Sequence, residues 1–86
     1  MEEKKIGFVS NYFGKISVAA VEITEGTVSV GDTVPFLGHT TDFESKVHSM
    51  QIEHKSVMEA KKGDSVGIKV SEKVRAKDNV YKIIAN

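Results

Sequence analysis

At 86 residues the chain is long enough for one domain and too short for a second core, since a chain of this size buries only about 60–65% of the surface its unfolded form exposes. Twelve Lys and Arg offset twelve Asp and Glu, so no global field draws in nucleic acid or an anionic membrane, and any such binding must come from a local patch. The absence of cysteine excludes disulfides and thiolate metal sites, and no apolar run reaches the ~20 residues of a membrane helix. The opening MEEKKIGFVS has neither the apolar stretch nor the cleavage pattern of a secretory leader, which sets the expectation of a cytoplasmic protein without a membrane partner.

In chain order, residues 1–4 are charged and are expected to form a flexible lead-in to a single domain spanning 1–86. Residues 5–12 alternate Ile6, Phe8 and Ser10 against Gly7, Val9 and Asn11, the pattern of a half-buried strand. Asn11 and Gly14 mark a hairpin loop, and ISVAAVEI over 16–23 is the best strand of the first half. Ala19 and Ala20 suggest the close approach of another layer. Glu25-Gly26 reads as a hairpin turn, Val28 and Val30 as a short strand, Gly31-Asp32 as another turn and 33–37 as a further strand. Pro35 cannot donate to a ladder, so that strand should lie at an edge or turn position 35 outward.

Residues 43–52 form the longest strand candidate, but the phase slips between Phe43 and Val47 on one parity and Met50 and Ile52 on the other. One extra residue near His48-Ser49, a β-bulge, repairs the period. Residues 53–62 carry good helix formers but are too short for a stable helix, and read as an extended connector or one short strand, with room for a turn of helix. Gly63-Asp64 is a reversal. Val66, Ile68 and Val70 alternate inward over 65–70, a polar stretch keeps Val74 and Ala76, and NVYKII over 79–84 closes the chain. Short strands with turns every eight to twelve residues define an all-β barrel or sandwich.

Motifs for chemistry are few. His39, His48 and His54 lack metal-site spacing, and Asp42 and Glu44 are as easily turn residues as a catalytic pair. No G-x-S-x-G elbow and no phosphate-cradling G-x-x-x-x-G-K-[ST] loop occurs. The chain is therefore expected not to be an enzyme and to carry no cofactor, metal or GTP. Lys69, Lys73, Arg75 and Lys77 alternate with Val70, Val74 and Ala76, so an extended segment would line four cations along one outward face suited to phosphates. The plainer role of such a row is to keep an exposed strand soluble. Phe13, at a hairpin tip, is the aromatic best placed to stack on a base; Tyr12 is a second candidate, and Tyr81 reads as core.

Several ordered features carry a family resemblance. Gly14-Lys15-Ile16 precedes Val18, Ala19 and Val21. Gly26-Thr27-Val28 precedes Val30-Gly31-Asp32-Thr33-Val34. Val47-x-Ser49-Met50 precedes Val57-x-x-Ala60-x-x-Gly63-Asp64-x-Val66-Gly67-Ile68, and Val74 and residues 78–81 follow. Together these resemble the second, β-barrel domain of translational GTPases such as elongation factor Tu, over roughly residues 5–84. The resemblance implies a small closed or nearly closed antiparallel Greek-key β-barrel of six to seven strands, of the translation-protein type. In the full-length factors this barrel contacts the GTPase domain, ribosomal RNA or the acceptor end of charged tRNA; a similar barrel ends some collagenase-type bacterial peptidases. The resemblance thus implies a non-catalytic binding module. Its expected partner is RNA or a ribosome-associated protein, met through a basic edge. The alternative is an adaptor docking to a separate GTPase or peptidase chain.

Overall fold

The computed structural model describes residues 2–84. Among them lie ten strands and no helix: β1 (Glu2–Phe13), β2 (Val18–Ile23), β3 (Thr27–Ser29), β4 (Thr33–Leu37), β5 (Asp42–Lys46), β6 (Met50–Ile52), β7 (Lys55–Val57), β8 (Glu59–Lys61), β9 (Ser65–Lys69) and β10 (Asn79–Ile84). All pairings are antiparallel. Eight strands form one sheet in the order β5-β4-β10-β1-β2-β9-β6-β7, and β3 pairs β8 in a second. No ladder among the described residues joins β5 to β7, so the sheet is not closed into a barrel. The strands are more numerous and shorter than the six to seven expected, because the chain breaks into three-residue ladders at its corners.

Burial follows the pleat where the sequence is regular. In β2 every second residue, Ala19, Val21 and Ile23, is buried, and in β9 Val66 and Ile68 are. β3 and β8 contribute Val28 and Ala60 to the same core, Phe36 enters from β4 and Val80 from β10, and Val47, Val70 and Val74 reach it from connectors. Phe36 stacks on its cross-strand neighbour Phe43 at 5.3 Å, an aromatic pair of the kind that stabilises a ladder.

Several expectations need correction. Glu2–Lys4 are not a loose lead-in but extend β1, with Glu2 opposite Ile84, Glu3 opposite Ile83 and Lys4 opposite Lys82. The alternation expected in β1 fails because its register shifts twice, between Lys5 and Gly7 and between Val9 and Asn11. Ile6 and Val9, of opposite parity, are therefore both buried, and Phe8 is exposed. The Glu25-Gly26 turn does not join a hairpin, since β2 pairs β1 and β9 whereas β3 pairs β8. β4 lies inside the sheet and Pro35 is buried; the ladder to β10 covers only Phe36 and Leu37, so the missing N–H of Pro35 breaks no bond there.

The proposed 43–52 strand is two strands. β5 pairs β4, β6 pairs β7 and β9, and the phase slip marks a corner rather than a bulge. Val47 holds that corner by accepting from the Gly31 N–H at 2.8 Å and donating to the Asp32 carbonyl at 2.9 Å. Within residues 53–62, β7 and β8 are extended, as expected, whereas Glu53-His54 forms a turn.

Candidate functional site

The structure separates the four cations of the 69–77 segment, placing Lys69 at one site and Arg75 and Lys77 at another. Lys69 ends β9, and its Nζ donates to the Ile16 carbonyl at 2.9 Å, on the loop that follows Phe13. Phe13 and Lys69 both flank Val18 in the register, so these two candidates share one end of the sheet. Arg75 and Lys77 lie elsewhere, because the segment after Lys69 is a bend and a turn rather than a strand. The turn is set by Asp78. Its Oδ2 accepts from the Arg75 N–H at 2.8 Å, and its own N–H donates to the Arg75 carbonyl at 3.1 Å. Lys77 takes a left-handed φ of 77° and donates its N–H to the Val9 carbonyl at 2.7 Å, inside the second irregularity of β1. The single outward row expected from alternation is therefore not formed. Lys73 is exposed between the two groups.

Arg75 and Lys77 instead face the loop between β4 and β5. An open depression of about 530 Å3 is lined by Leu37, His39, Thr40, Arg75, Lys77 and Asn79. The Leu37–Asn79 and Phe36–Val80 register pairs bring the two walls together. Asp78 is 5% exposed, and its carboxylate sits where a Cβ on Gly38 would be, which leaves only glycine room at that position. Among the described residues the one ion pair is Lys82 with Asp32, at 3.4 Å, so none of Lys69, Lys73, Arg75 and Lys77 is ion-paired. Sequence reasoning did not connect His39 and Leu37 with Arg75, because the contact is made across a ladder between segments distant in sequence.

The second feature is apolar. On the outer face of β1-β2-β9, Phe8, Phe13 and Val18 stand with Ala20, and Ile16 projects from the loop; Phe13 is 47% and Ile16 57% exposed. A groove of about 220 Å3 runs beside Phe13 and Ile16, floored by Ala20 and Gly67 and bounded by Gln51 and His54. Tyr12 is half-buried against the core, unlike its neighbour, and Tyr81 is half-buried beside Lys5 rather than in the core. Among the described residues no group of three or more His, Asp or Glu is arranged to hold a metal.

An all-β domain with only antiparallel pairings is the class to which translation-factor second domains belong. The chain belongs to the elongation factor Tu domain 2 family, whose model matches residues 17–77. It is 46% identical over 78 residues to an uncharacterized protease of Methanocaldococcus jannaschii, covering 90% of this chain and 19% of that protein. It is 36% identical over 78 residues to a collagenase of Porphyromonas gingivalis, covering 90% of this chain and 22% of that protein. The chain thus spans about a fifth of the length of the curated relatives it matches. In fold it is similar to the C-terminal domain of a Geobacillus thermoleovorans protein assigned to the U32 peptidases, with a TM-score of 0.86 at 20% identity over 94% of this chain and 93% of that one.

Proposed function

We propose that this domain is a non-catalytic recognition module, of the kind carried by U32-type chains, and that it contacts RNA or a ribonucleoprotein through the cations of residues 69–77. The observation that carries this reading is local charge segregation. Four cations and one acid fall within nine residues of a chain whose net charge is zero, all four cations are exposed, and among the described residues none is paired with a carboxylate. Unpaired exposed cations attract phosphate without help from the net charge, provided they are close enough to act together. Membership of a translation-factor domain family adds to the same reading.

The test is fluorescence anisotropy of a labelled single-stranded RNA across about 50 to 200 mM salt; three phosphate contacts would give a log–log slope near −2. Binding that ignores salt, or none at low salt, overturns the reading.

A second reading rests on the exposed apolar face around Phe13 and Ile16. In relatives five times as long, such a face suits docking onto the remainder of a peptidase chain. It requires association with a U32-type peptidase chain that survives high salt and is lost in Phe13→Asp.

A further inference from the structure

We propose that the depression between the β4–β5 loop and the 75–78 turn is a phosphate subsite, holding one phosphodiester of the bound strand through Arg75, Lys77 and His39. The proposal rests on the RNA reading for the source of the phosphate, and adds where on the domain it is held.

Donors converge there from two segments far apart in sequence. Arg75 and Lys77 come from the turn, and His39 and Thr40 from the loop. Arg75 can take two oxygens in its planar fork, which leaves further lone pairs to the ammonium and the imidazole. The one carboxylate of the lining, Asp78, is ion-paired to neither cation: it is buried, its Oδ2 accepts from the Arg75 backbone N–H, and it is set against Gly38, so the ammonium and guanidinium groups remain free to meet a phosphate. Asp42, opposite Leu37 in the ladder, and Glu72 both lie outside the lining.

The walls are also held in place. Leu37 faces Asn79 across the β4–β10 ladder, and the Lys77 backbone is fixed by the 2.7 Å bond from its N–H to the Val9 carbonyl. With the backbone of both walls set before the ligand arrives, only side-chain rotamers are left to order on binding. Exposed Leu37 gives the adjoining ribose an apolar wall.

The experiment compares RNA anisotropy for the parent chain with Arg75→Ala, Lys77→Gly, His39→Ala and the control Lys62→Ala, alongside amide NMR shifts on adding inorganic phosphate. Lys77→Gly removes the ammonium at a left-handed position that glycine favours, so it tests the site without threatening the fold. The expected result is about fivefold to tenfold weaker RNA binding for Arg75→Ala and Lys77→Gly, a salt slope shallower by about 1, and less than about twofold change for Lys62→Ala. Phosphate shifts should cluster at residues 37–40 and 75–79 and vanish in the Arg75→Ala/Lys77→Gly double variant. RNA binding with both variants behaving like Lys62→Ala overturns the subsite and leaves the RNA reading standing. Phosphate shifts at the site without RNA binding keep the subsite for a free phosphate and end the RNA reading. Neither signal ends both.

Discussion

Glu53 and His54 join β6 to β7 with φ of 51° and 65°, a two-residue turn in which both residues are left-handed. That geometry suits the twist of a hairpin, but Asn-Gly is the pair that adopts it without strain. An ordinary residue in this region costs about 1–2 kcal/mol, and glycine gives back roughly 0.5–1 of that through its freer unfolded chain. Glu53→Asn/His54→Gly should therefore stabilise the domain by about 1 kcal/mol, read as a higher urea midpoint at unchanged slope. Gly7 is the opposite case: a Cβ there would strike the Glu22 backbone carbonyl on the paired strand. Gly7→Ala should cost about 1–3 kcal/mol in the same urea titration, the usual penalty of overpacking. Neither position was legible in the sequence. Glu53-His54 has no turn composition, and the need for glycine at 7 arises from a register shift that only the pairing reveals.

At the level of elements, regular strands and glycine-marked turns such as Gly63 were readable, and corners without glycine were not. β9 declares itself through Val66 and Ile68, and β2 through Ala19, Val21 and Ile23, because both keep one face in the core throughout. The 43–52 stretch misleads because two strands with different partners follow one another with only 47–49 between them. The methionines show what pattern alone cannot rank. Met50 is 1% exposed at the start of β6, and Met58 is 73% exposed between β7 and β8. Met50→Ala should cost about 2–5 kcal/mol through loss of buried surface and a residual cavity. Met58→Ala should stay within about 0.5 kcal/mol. Thermal melts of the two variants check the contrast, and equal losses would mean the corner is not where the core is sealed.

Across the whole molecule, the likeness to a translation-factor domain was visible in the ordered glycine and valine signature, and the family match bears it out. The candidate site was half visible. The cations stand out in the sequence, but alternation implied one row, whereas the turn closed by Asp78 sends Arg75 and Lys77 toward His39 and leaves Lys69 bonded to the Ile16 carbonyl. Charge composition is local in sequence; the partner wall comes from a segment more than thirty residues earlier, brought in by the Leu37–Asn79 pair.

The pairing of Glu2 with Ile84 has a consequence for how such a domain travels between proteins. A polypeptide that enters at one of these residues leaves beside it, so the unit can be appended to a host or spliced into a surface loop while adding almost no separation between the flanking pieces. By the same geometry, a permuted chain linked from 84 to 2 and opened at Lys15 should recover the same amide spectrum; a collapsed spectrum would show that the continuous β1–β2 hairpin is required for folding.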